Sequence, residues 1–122
     1  MWKTLIILFI ALLVFDAIYF QFIYGGFSKM IQKIQGSPIS MRLESAFVCY
    51  LALTGLLYYF IILPKRPATD AGLLGLGVYT VYESTNYAVI KNWQPHIAVI
   101  DSLWGGALFY LVTKVVYLLD AK

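Results

Sequence analysis

Three carboxylic acids stand inside apolar stretches of this 122-residue chain, and their placement asks for a chemical explanation. Asp16 lies near the middle of the apolar run 4–24, Glu83 just past the middle of the run 71–90, and Asp101 about one and a half turns into the run 96–119. An ionised carboxylate at the centre of a bilayer costs about 2.5–3.5 kcal/mol on insertion scales, against about 0.3–0.6 kcal/mol gained per Leu, Ile, Phe or Val. The first run is apolar enough to carry one such acid. Acids retained at that cost hold a proton, a cation or a polar headgroup, or they hydrogen-bond helices to one another.

Helical phase decides which way the acids point. At 100° per residue Gly72, Gly75, Tyr79, Tyr82, Glu83 and Asn86 share one face of the third run, and Asp101, Trp104, Gly105 and Leu108 share a face of the fourth. Glycine beside each polar stripe allows close backbone approach, so these faces are expected to look into a bundle and not at lipid. The first and third runs travel in one direction and the fourth returns, which puts all three acids in the same half of the bilayer. The expected pocket is made of Asp16, Tyr79, Tyr82, Glu83, Asn86, Asp101 and Trp104, opening at a rim of Lys91, Trp93 and His96.

Other chemistries find no support. Cys49 is the single cysteine, so cysteine clusters and internal disulfides are excluded. His96 at a helix start reads as interfacial and not as a metal ligand, and neither a metal nor a cofactor is expected. The potassium-filter sequence, nucleotide-binding glycine loops, H-E-x-x-H and G-x-S-x-G are all missing, so the reading leans away from an enzyme. The net charge of +3 comes from basic residues between the apolar runs, a pattern for headgroups and water that gives no reason to expect a nucleic-acid partner.

The elements that must hold the acids follow from run length. At 61% hydrophobic and 12% charged, the chain lies far from the roughly 45–50% apolar usage of soluble domains. Crossing a hydrocarbon core of about 30 Å takes about 20 helical residues. Runs 4–24, 43–63, 71–90 and 96–119 qualify, the first ended by Gly25 and Gly26, the second by Pro64, the fourth begun at Pro95. They lack period-2 alternation, and a backbone in lipid must satisfy its own hydrogen bonds, so helices are expected. Between the first two spans Phe27, Met30, Ile31 and Ile34 recur at helical spacing opposite Lys29, Gln32 and Lys33, which predicts a short helix lying on the membrane surface. The first run passes Asp16 and continues to Tyr24 without an A-x-A-like site, so it is expected to remain as a span and not to be removed as a signal peptide. Trp2, Lys3 and Trp93 suit the interfacial belt. The fold class expected is an all-α, multi-pass integral membrane protein, one domain over 1–122, with four transmembrane helices plus a short interfacial helix after the first. Loop charge is nearly balanced, with Lys3, Lys65, Arg66, Lys114 and Lys122 on one side and Lys29, Lys33, Arg42 and Lys91 on the other, so it assigns no orientation.

The segment Tyr82-Glu83-Ser84-Thr85-Asn86-Tyr87-Ala88, continuing through Lys91-Asn92-Trp93 to Asp101-Ser102-Leu103-Trp104-Gly105, resembles a family of small four-span membrane proteins catalogued only as a domain of unknown function. That family's pattern has an acid in the first span, an acid followed by T-N in the third, K-x-W, and D-x-x-W-G in the fourth. Here these fall on Asp16; on Glu83 with Thr85 and Asn86; on Lys91 with Trp93; and on Asp101 with Trp104 and Gly105. Glu83 stands where the pattern has Asp, and the resemblance implies no activity. There is also an internal echo, weak by its length, between Phe15-Asp16-Ala17-Ile18-Tyr19 and Ile100-Asp101-Ser102-Leu103-Trp104.

The function expected is transport or conduction of a proton or small cation through a pocket lined by the intramembrane acids, in a dimer or higher homo-oligomer surrounded by membrane lipids. The alternatives are a lipid-headgroup-binding membrane enzyme or accessory subunit, and a structural membrane subunit.

Overall fold

The computed structural model describes residues 1–37 and 42–120, so Lys122 of the charge comparison lies outside the described residues. Four helices follow one another: α1 (Trp2–Gln35), α2 (Leu43–Leu57, prolonged by a π-helical turn over Tyr58–Ile62), α3 (Ala68–Val89) and α4 (Pro95–Asp120). No strand is present among the described residues. By length and composition Trp2–Gln35, Leu43–Ile62 and Pro95–Leu119 can each cross a membrane. The chain is an all-α integral membrane protein. Helix α3, which carries Glu83 and Asn86, is the most polar of the four and is not among these three, although its 22 residues extend about 33 Å.

One expectation is corrected. Gly25 and Gly26 do not end the first helix, and among the described residues no separate surface helix follows it. Helix α1 runs unbroken for 34 residues, about 51 Å, and stops only at Gly36, whose left-handed φ of 75° lets its N–H return to the Gln32 carbonyl at 2.8 Å. Each glycine inside a helix costs about 1 kcal/mol relative to Ala. Burial beyond the glycines offsets that cost. Met30 is buried against Trp93 and Ile97, with Phe27, Ile31 and Ile34 packed around them, so the spacing that suggested a surface helix belongs to a face docked on the α3–α4 loop.

Glycines fix the tightest pairing, between α3 and α4. A Cβ on Gly75 would fall 2.2 Å from the Gly105 carbonyl oxygen, and one on Gly105 would fall 2.3 Å from the Tyr79 ring. Neither helix could approach this closely with any larger residue at those positions. Helix α1 lies on α4 and α2 but barely touches α3. Leu8, Leu12, Leu57, Leu108, Phe109 and Val112 fill the half of the bundle away from the acids. The Met30–Trp93–Ile97 cluster closes the other end. The acids therefore lie between two apolar layers.

Candidate functional site

Asp16 is held by two donors from two different helices. The Trp104 indole N–H on α4 donates to its Oδ1 at 2.9 Å, and the Tyr50 hydroxyl on α2 donates to its Oδ2. Asp101 on α4 accepts from the Tyr19 hydroxyl on α1 at 3.0 Å. Glu83, 2% exposed, accepts from the Trp93 indole at 2.8 Å and has the Asp101 carboxyl as its side-chain neighbour. Trp93 reaches back over α3 because the loop turns at Asn92, whose left-handed φ of 71° is one that Asn tolerates.

These groups surround a cavity of about 150 Å³ in the seam between α1 and α3, with α4 behind it. Asp16, Glu83 and Asp101 reach it, and Tyr19, Tyr79 and Tyr82 stand among them. Glu83 also borders a wider groove on the other side of α3, where Thr80, Ser84 and Ser102 face it. Among the described residues, no Lys or Arg side chain lines the cavity or the groove. Among the described residues, no three of His, Cys, Asp and Glu are grouped closely enough to hold a metal ion.

The sequence-derived residues divide as follows. Asp16, Tyr79, Tyr82, Glu83 and Asp101 line one cavity, and Trp104 joins it through Asp16. Asn86 stands one turn beyond Tyr82, meets its side chain and does not line the cavity. Trp93 is buried on Glu83, whereas Lys91 and His96 are exposed and line neither space. Sequence reasoning missed Tyr19 and Tyr50. For Tyr19 a signal was present: it sits three residues after Asp16, as Trp104 does after Asp101.

Fold and site together define a polytopic membrane protein with a cluster of acids held inside its helical bundle. The chain belongs to the family described as Predicted membrane protein (DUF2177), which matches residues 1–118. No curated protein and no solved structure matches it.

Proposed function

We propose that the cavity takes up a proton or a small cation, and that the protein transports or conducts it across the membrane. The observation that carries this reading is the charge balance: three carboxyls reach one cavity that, among the described residues, no Lys or Arg lines. Unpaired charge in apolar surroundings is costly, so neutrality at this site has to come from protons or from a bound cation. Beyond Asp16 the apolar layer of Leu12, Leu57, Leu108 and Val112 interrupts a polar route through one copy. The proposal therefore includes a dimer or higher homo-oligomer, with passage between copies or through a rearranged bundle.

Flux in proteoliposomes tests it directly. Purified protein is reconstituted and loaded with a pH-sensitive or cation-sensitive dye, and wild type is compared with Glu83→Gln and Asp101→Asn. Flux that falls to the protein-free background in folded variants supports the proposal, and flux unaffected by either substitution sinks it.

One observation favours a second reading. The cavity lies in a lateral seam, with Asp101 only about 9 Å below the start of α4, a level that a lipid headgroup can approach. That suits a lipid-headgroup-binding membrane enzyme or accessory subunit. Absence of flux together with a copurifying lipid that is lost in the same variants would favour it. Loss of folding in the variants would instead assign the acids a structural role.

A further inference from the structure

We infer that the ligand of this cavity is an alkylammonium group, carried either by a small free amine or by a zwitterionic lipid headgroup. The inference rests on the cation-site reading above and names the class of cation.

Three features select that class. The first is the wall chemistry. Tyr19, Phe20, Phe27, Tyr79 and Tyr82 border the cavity together with the three carboxyls. Aromatic faces attract organic cations, and desolvated sites strengthen that attraction, while carboxylates accept N–H bonds or balance a methylated nitrogen. A bare proton would need no aromatic enclosure.

The second feature is the spacing of the acids. Hard metal ions demand about six to eight oxygens at about 2.0–2.6 Å. Here no three metal-ligating side chains are grouped for one ion among the described residues, and each acid is already engaged by a Tyr or Trp donor. Carboxyls spread around a cavity contact a larger, diffuse cation from several sides.

The third feature is size and access. A cavity of about 150 Å³ matches the volume that admits benzene in an apolar protein core, so it holds about six heavy atoms. That is the scale of a tetramethylammonium ion or a choline headgroup nitrogen with its methyls, and it excludes bulky amines. The mouth lies between α1 and α3, which barely touch, so the group enters sideways from the membrane interface.

The test uses the full chain in nanodiscs of phosphatidylglycerol, whose headgroup carries no nitrogen. Tetramethylammonium, tetrabutylammonium and sodium chlorides are titrated at constant ionic strength. The readout is tryptophan fluorescence, since Trp104 bonds to Asp16 and stacks on Tyr19. The expected result is a saturable response to tetramethylammonium, none to tetrabutylammonium, and only weak competition by sodium. Affinity should fall about tenfold in Asp101→Asn and several-fold in Tyr82→Leu. Repeating the titration in phosphatidylcholine discs separates the two sources: suppression of the response identifies the headgroup, and an unchanged response identifies the free amine. Equal responses to small and large ammonium ions overturn the inference, as does indifference to both substitutions. A response to sodium without one to ammonium overturns it and leaves the transport reading standing; no response to any of the three salts overturns it as well, and the proteoliposome flux assay then decides the transport reading. If Asp101→Asn does not fold, Tyr82→Leu and the wild-type size series decide the matter.

Discussion

Tyr19 and Trp104 lie face to face between α1 and α4, with ring centroids 4.6 Å apart and planes 4° from parallel. Each donates to the acid one turn behind the other: Tyr19 to Asp101 at 3.0 Å, Trp104 to Asp16 at 2.9 Å. The short D-x-x-aromatic segments of two antiparallel helices thus exchange hydrogen bonds across a shared stack. Neither aromatic bonds to the acid in its own segment.

This crossing sets the pattern of energetic coupling. Double-mutant cycles should give about 0.5–1.5 kcal/mol between Tyr19→Phe and Asp101→Asn, the range seen for hydrogen bonds between transmembrane helices. Tyr19→Phe combined with Asp16→Asn should be closer to additive, although Asp16 is nearer in sequence. Equilibrium unfolding in bicelles measures both cycles. Stronger coupling to Asp16 than to Asp101 would show that the exchanged pairing is wrong.

The glycine contacts between α3 and α4 yield a second expectation, with its own control. Ala at Gly75 or Gly105 meets backbone or ring atoms closer than 2.5 Å, so helix separation or bending is forced, at a cost of about 1–3 kcal/mol or more. Gly77 and Gly25 have open space where a Cβ would stand, and Ala there should be neutral or stabilise by up to about 1 kcal/mol. The same unfolding assay reads all four variants. Equal effects at Gly75 and Gly77 would rule out close packing as the reason for the glycines.

What the sequence disclosed and what it concealed have separate physical causes. Run length and helical phase located the helices and turned Glu83, Asp101 and Trp104 inward, because insertion cost and periodicity are local properties. The Gly25–Gly26 pair gave the wrong end for α1, since burial of Met30, Phe27 and Ile34 against Trp93 and Ile97 outweighs the glycine cost and is visible only in three dimensions. The expected rim changed for the same reason. Helix α1 continuing past its glycines lays an apolar layer over the acids, so the exposed Lys91 and His96 do not reach the cavity, which opens sideways. Tyr50 is a lone tyrosine in an apolar run, and nothing in its spacing marks it as a partner of Asp16.

The Trp93 indole N–H donates to the Glu83 carboxyl, which is 2% exposed. Trp93→Phe keeps a ring against Phe27, whose present edge-on contact has centroids 6.3 Å apart, but removes the N–H. Stability should fall by about 1–3 kcal/mol, the usual penalty when a buried acceptor loses its partner. Bicelle unfolding of Trp93→Phe beside wild type checks this, and an unchanged midpoint would mean that the bond does not hold the loop to α3.

Glu83→Gln should behave in the opposite way, and the contrast separates structure from function. The amide keeps the shape of the side chain: its carbonyl oxygen can still accept from Trp93, and its NH₂ can donate to Asp101, which is the neighbouring carboxyl. Two facing acids become an amide and an acid, so stability should stay within about 0.5 kcal/mol of wild type or rise. What the substitution removes is one of the charges that the cavity offers to a cation, and with it a group able to take and release a proton. Flux in proteoliposomes, or tetramethylammonium binding in nanodiscs, should therefore collapse in Glu83→Gln while its unfolding midpoint holds. Trp93→Phe should unfold earlier yet keep activity below its midpoint, because the carboxyl is still there. Both variants are measured in both assays on the same preparations. If Glu83→Gln proves the less stable of the two, the carboxylate itself is a structural element; if it folds and works as wild type does, the ligand of the cavity is held without Glu83.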